Sequence, residues 1–186
     1  MNNINILVFL LKNKEEEFTI SQIAKALDIN YRIAHEQTKL LEKEGLIRTK
    51  RAGKALLCSL TGEFNEKIYL AEYQRREEFL KNKDFKTIHK RFSEAKQNYI
   101  LLLFGSHSKN QATKQSDIDL LAITENEKEL KEINEQIPKN IHLTTVNYKT
   151  FIEMIKTREI NVGNETIKNN IILLGIEEYY RLIKNA

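Results

Sequence analysis

The stretch Tyr99 to Thr124 reads YILLLFGSHSKNQATKQSDIDLLAIT, and it constrains the fold more than any other part of the chain. An apolar run of strand length is followed by Gly105-Ser106, a polar segment, two aspartates separated by one apolar residue, and a second apolar run. That order predicts a strand, a tight turn, a helix or loop, and another strand. A continuous apolar run fits a strand buried on both faces, and Gly105 directly after it argues against a buried helix. Strand side chains alternate between faces, so Asp117 and Asp119 are expected on one side with Ile118 turned into the core. Two carboxylates a few Å apart repel unless a cation lies between them, and Mg²⁺ takes one or two carboxylates together with phosphate oxygens. Gly105 lets the backbone bend close to an anion, while the Ser106 hydroxyl and the following amides donate to phosphate. The stretch therefore implies a site for metal and nucleotide.

Gly105, Ser106 and the Asp117-Ile118-Asp119 triplet, with both flanking strands, resemble the signature of the polymerase-beta-type nucleotidyltransferases, in particular the minimal group found in prokaryotes. The resemblance implies a nucleoside triphosphate as substrate or ligand, Mg²⁺ as cofactor, and transfer of a nucleoside monophosphate to a hydroxyl of a protein or small molecule. Asp117 and Asp119 would hold the metal, and Gly105, Ser106, Ser108 and Lys109 the triphosphate. The family's loop carries a small residue, arginine and glycine where this chain has Ser108, Lys109 and Asn110. Lysine keeps the charge but loses the bidentate fork that suits phosphate. Active members also place a third acid on a later strand, and the corresponding position in the strand expected at Ile141 to Val146 holds His142. Imidazole is a poor Mg²⁺ ligand, yet as a base it accepts a proton near neutral pH. Asp117, Asp119 and His142 are thus the catalytic candidates. His107 faces either nucleotide or solvent, and Lys109 and Lys114 either neutralise phosphate or are surface lysines.

The 186 residues allow one large or two small domains, and two is the expectation. With 41% apolar and 30% charged residues the chain reads as globular, and no apolar run has the length needed to cross a bilayer. No signal-peptide pattern is present, which points to a cytoplasmic protein. The lone Cys58 excludes an internal disulfide and a multi-cysteine zinc site, and its apolar neighbours predict a packed thiol. The net charge of +4 and pI near 9.0 permit nucleic-acid binding without establishing it.

In the amino-terminal segment, helical spacing predicts a helix over Asn3 to Leu11. Ser21 is the expected N-cap of a helix through Leu27, and Asn30 the cap of a longer one from Tyr31 to about Glu44, ended by Gly45. Ile33, Ala34, Leu40 and Leu41 are its expected apolar stripe. Leu46 to Arg51 and Ala55 to Leu60 read as a hairpin with a basic tip at Ala52-Gly53-Lys54. The pattern resembles the winged helix-turn-helix family over residues 1–61. The resemblance implies double-stranded DNA as partner. Tyr31, Arg32, His35 and Lys39 would face the major groove, and Arg48, Lys50, Arg51 and Lys54 would contact backbone phosphates. The alternative is a solvated charged face on a module that packs against a protein partner, for which Glu36 speaks.

Residues 62–82 read as a helical linker and residues 83–186 as the nucleotidyltransferase-like domain. Ile68, Leu70, Ala71 and Tyr73 are expected anchors of the linker helix, which either supplies a homodimer surface or packs on the winged domain. Ile171 to Gly175 followed by Glu177-Glu178-Tyr179-Tyr180 resembles the tail of archaeal and bacterial proteins that fuse a winged helix to this catalytic fold. The expected class is α+β: a winged helix-turn-helix, then a nucleotidyltransferase fold with a small mixed sheet flanked by helices. Three functions remain open: a DNA-binding nucleotidyltransferase, a transcriptional regulator whose catalytic fold serves as nucleotide sensor or dimerisation platform, and an antitoxin-like partner of a small helical toxin.

Overall fold

The computed structural model describes residues 2–109, 111–113, 115–157 and 162–185. The chain divides into two compact units, Met1–Gln74 and Arg75–Ala186, each described by itself. Together they form a mixed α+β protein with ten helices and seven strands among the described residues.

The first unit runs α1 (Asn2–Lys12), β1 (Phe18–Thr19), α2 (Ile20–Ala26), α3 (Tyr31–Lys43), β2 (Ile47–Ala52) and β3 (Ala55–Leu60), and α4 (Glu66–Phe79) crosses the division. Thr19, not Ser21, caps α2. Its hydroxyl oxygen accepts from the Gln22 amide at 3.2 Å while Gln22 Oε1 accepts from the Thr19 amide at 2.8 Å. This reciprocal pair needs Gln three residues after the cap, which Ser21 lacks. Asn30 caps α3 by accepting from the Arg32 amide at 2.8 Å, as expected.

Helix α3 buries Ala34, Thr38 and Leu41, whereas Ile33 and Leu40 are 39% and 48% exposed. At about 100° per residue, positions 34, 38 and 41 fall within about 60° of one another and 33 and 40 lie roughly 120° round the helix from them, so the four expected residues divide between two faces. On α4, Ile68 and Ala71 are buried, but Leu70 and Tyr73 stand exposed with Tyr69 for the same geometric reason. Gly45 leaves α3 at φ +75°, and β2 and β3 form the expected antiparallel hairpin around Gly53. β1 adds a third strand on the other side of β3, pairing Phe18 with Cys58. Cys58 is buried, and burial with the nearby Glu42 charge pushes its thiol up to about 11.

The second unit begins its own core with α5 (Lys83–Ser93), capped by Asn82, which accepts from the Asp84 amide at 2.9 Å. Then follow β4 (Ile100–Phe104), the single turn α6 (Gly105–Ser108), β5 (Ile118–Ile123), α7 (Lys128–Glu135), β6 (Ile141–Val146), α8 (Tyr148–Lys156), α9 (Val162–Lys168), β7 (Ile171–Leu174) and α10 (Ile176–Lys184). The sheet order is β6-β5-β4-β7, with β4 antiparallel to both neighbours and β5 parallel to β6. All five residues of β4 are buried, as an uninterrupted apolar strand requires. Leu101, Leu103, Leu120, Ala122 and Leu173 share one core with Phe85, Ile88 and Phe92 of α5 and Leu130 of α7. α9 and α10 lie against β4 and contribute the buried Thr166 and Tyr179. Gly175 precedes α10 at φ +76°, where a Cβ would come within 2.9 Å of the Tyr99 carbonyl. Burial of each large apolar side chain in such a core contributes about 1.5–3 kcal/mol.

Candidate functional site

The site lies where the central strands of the second unit end. Phe104, the last residue of β4, is paired in register with Asp119 of β5. The chain then turns at Gly105 with φ +70°, and a Cβ added there would collide with Asp119 Oδ2. The left-handed φ calls for glycine, and any side chain there would also have to displace the Asp119 carboxylate. On the other side, β6 places His142 in register with Asp119, and His142 Nδ1 lies 3.5 Å from Asp119 Oδ1. Gly105, Asp119 and His142, separate in sequence, therefore meet at one spot. Asp119 is half-buried and His142 is 72% exposed.

Asp117 sits exposed just before β5, and its Oδ1 accepts a hydrogen bond from Asn140 Nδ2. The parallel register that pairs Ile118 with Ile141 brings Asn140 there, and the Ile118 amide donates to the Asn140 carbonyl at 3.0 Å. Nothing local in the sequence marks Asn140; only knowing that β5 and β6 are parallel and in this register would have found it. Ser108 Oγ donates to the Gly105 carbonyl at 2.9 Å and so tightens the turn. Lys109 Nζ forms an ion pair with Glu165 Oε1 at 3.2 Å. The Ser106 carbonyl accepts from the Gln111 amide at 2.9 Å. Asn110 and Lys114 lie outside the described residues.

His107 is built into the unit: its ring meets Phe85 edge-on at 5.2 Å between centroids, and its Nε2 lies 3.3 Å from the Ser116 carbonyl oxygen. Beside Asp117 opens a cavity of about 700 Å³ lined by Asn82, Phe85, His107, Thr113, Lys139 and Asn140, among others.

Among the described residues neither Asp117 nor Asp119 is paired with lysine or arginine, and the His142 imidazole lies beside Asp119. Carboxylates left without a cationic side chain suit a divalent ion, although no group of three or more His, Cys, Asp or Glu gathers as a metal cluster among the described residues.

Residues 85–173 match the family model of the nucleotidyltransferase domain. The matched interval opens in α5, closes in β7 and contains Gly105, Ser106, Asp117, Asp119 and His142. No curated protein and no solved structure matches the chain. The nucleotidyltransferase match supports a function of the nucleotidyl-transfer type, with a nucleoside triphosphate as the ligand class. No described helix is long and apolar enough to cross a membrane.

In the first unit the candidate DNA-facing residues are distributed over α3 and the hairpin. Tyr31, Arg32 and Lys39 are exposed on α3, and Tyr31 stacks on His35 with centroids 6.1 Å apart. Arg32 pairs with Glu36 at 3.1 Å and Lys39 with Glu42 at 3.8 Å. Arg48, Lys50, Arg51 and Lys54 are all exposed. Strand alternation puts Arg48 and Lys50 on one face of β2 and Arg51 on the other, with Lys54 at the tip. Arg48 Nε also donates to Ser59 Oγ across the hairpin at 3.0 Å.

Proposed function

We propose that the second unit binds a nucleoside triphosphate with a divalent cation and transfers its nucleoside monophosphate to a hydroxyl acceptor, while the first unit holds double-stranded DNA as a winged helix-turn-helix. On this reading residues 1–61 form the winged domain, 62–82 a helical linker and 83–186 the nucleotidyltransferase-like domain. The observation that carries it is the meeting of Gly105 and the Asp119 carboxylate at the end of two adjacent strands, inside the interval matched by the nucleotidyltransferase family.

Gly105, Ser106 and the amides of the α6 turn receive the triphosphate, and Asp117 and Asp119 hold the cation, Mg²⁺ by the resemblance. Bound there, such a cation would neutralise charge that builds on the phosphates. The acceptor oxygen bonds to the α-phosphorus, the α–β phosphoanhydride bond breaks, pyrophosphate leaves and the hydroxyl proton passes to solvent. Register with Phe104 and His142 places Asp119 for this task at the end of β4, and the absence of a side chain at Gly105 leaves room for its carboxylate there.

The test is incubation of the full chain with α-labelled NTP, Mg²⁺ or Mn²⁺, and candidate protein and small-molecule acceptors. Label transfer that falls by about 100-fold or more in Asp117→Ala and Asp119→Ala is the expected result. A chain that takes up no NTP with either metal would end the proposal. A second reading, nucleotide sensing without transfer, draws on the internal ties of two candidate groups, Lys109 to Glu165 and Asp117 to Asn140. NTP binding without label transfer to any acceptor is its expected outcome.

A further inference from the structure

We infer that the outer edge of β6 pairs antiparallel with the same edge of a second copy of the chain, centred on Leu143, and joins two four-stranded sheets into one. The sheet edges of the two units differ in what guards them. β1 is two residues long, and β2 carries Arg48, Lys50 and Arg51. At β7 the Leu173 carbonyl accepts from Arg76 Nη1 at 3.4 Å, and the carbonyl of Asn170, just before the strand, accepts from Arg75 Nη2 at 2.8 Å. Short strands, charges and covering side chains all keep an edge from pairing. β6 has none of these guards. It runs for six residues, Ile-His-Leu-Thr-Thr-Val, without lysine, arginine, proline or a bulge.

Register decides which backbone groups this edge presents. The Ile118 amide donates to the Asn140 carbonyl at 3.0 Å and the Thr124 amide to the Val146 carbonyl at 2.9 Å, so the even-numbered residues of β6 turn their backbone groups to β5. By alternation Ile141, Leu143 and Thr145 turn theirs outward. Among the described residues no side chain or loop amide hydrogen-bonds to these outward groups. A strand without acids, lysine or arginine gives a charged peptide nothing to pair with, whereas a second β6 completes it. A twofold axis at Leu143 sets Ile141 against Thr145, Leu143 against Leu143 and Thr145 against Ile141, with about six ladder bonds in all. Centring on His142 or on Thr144 forfeits one of these pairs. In the favoured register His142 stands opposite Thr144 of the second copy, with about 4.5 Å between their Cα atoms. The corner where Gly105, Asp119 and His142 meet thereby receives a hydroxyl from the other copy beside its imidazole.

The test uses the full chain. Sedimentation equilibrium is expected to show monomer and dimer exchanging with a dissociation constant of about 10–100 µM, as a contact of one strand a side allows. His142→Lys and Thr144→Lys in one chain set lysines against each other across the boundary and are expected to weaken the dimer about ten-fold or more, while His142→Lys with Thr144→Glu is expected to keep it. Cysteines read the register. Under mild oxidation a mixture of His142→Cys and Thr144→Cys chains is expected to form a disulfide-linked dimer and neither variant alone to do so, with the wild type and its buried Cys58 as the blank. A wild type still monomeric at about 1 mM overturns the inference. So does a cross-link that forms as fast in either variant alone. A dimer that survives the lysine pair and gives no mixed cross-link is built elsewhere on the chain and overturns it equally.

Discussion

The sheet of the second unit and the hairpin of the first use strands in opposite ways. β4 buries all five of its residues and yields to chemistry only where it ends, at Gly105. β2 buries Ile47 and leaves Arg48, Lys50 and Arg51 exposed along its length. A strand covered on both faces can hold a reactive group only at its end, but holds it in one position. A strand open to solvent carries many charges, each weakly placed. The first arrangement suits the alignment of reacting atoms, the second the tracking of a uniform polyanion. The consequence is that single changes should be severe at the β4 end and mild on the hairpin.

Gly105→Val presses that contrast hardest. It sets a β-branched side chain at a left-handed φ and drives its Cβ into Asp119, so the second unit should lose about 3 kcal/mol or more, measured by urea unfolding. Adding Asp119→Gly should return part of the loss. A Gly105→Val variant as stable as the wild type would break the comparison. The hairpin should instead respond only to accumulation. Lys50→Ala, Arg51→Ala and Lys54→Ala together are expected to weaken duplex binding about ten-fold at low salt and to flatten the salt dependence by about one phosphate contact per residue, with folding unchanged. Unaltered affinity would remove the phosphate role.

Smaller effects sharpen the local assignments. Thr19→Ala should cost about 1 kcal/mol and Ser21→Ala less than about 0.5 kcal/mol, since the cap and its Gln22 partner lie at Thr19. Thermal melts of the two variants decide it. His89 supplies a pH test in the second unit, because burial first and Arg76 second hold its imidazole below the ordinary 6.5. The folded state then binds this proton less readily than the unfolded state. Its contribution is complete above pH 6.5 and is lost as pH falls through the lower folded value. Urea midpoints at pH 7.5 and 5.5 should drop less in His89→Gln than in the wild type, and equal drops would contradict the assignment.

The contrast also explains what the sequence could show. β4, Gly105 and β5 were legible because their signals are contiguous: an apolar run, a glycine, then alternation around Ile118. Asn30 and Gly45 announced the two ends of α3 in the same local way. The inner face of α3 was not legible, since Ile33 and Leu40 stand at helical spacing as well as Ala34 and Leu41, and tertiary packing alone chose the second pair and added Thr38. Ser21 was misread because a cap depends on its partner as well as its own hydroxyl. At the site, Asp119 and Gly105 followed from neighbouring strands, and His142 from the family resemblance. The Asn140 contact to Asp117 and the pairing of Lys109 with Glu165 join residues far apart in the chain, and no local pattern encodes them.

Because β5 and β6 run in the same direction, the chain must travel back along the sheet before it can present His142 to Asp119. The return leg through α7 therefore works as a ruler. Removing two residues from it, with both strands kept in place, would slide Thr144 opposite Asp119, and adding two would slide Asn140 there, since a two-residue step preserves the face. The chemical character of this corner is thus written partly in the length of the segment that joins the two strands, and a small insertion or deletion within it would exchange a ring for a hydroxyl or an amide.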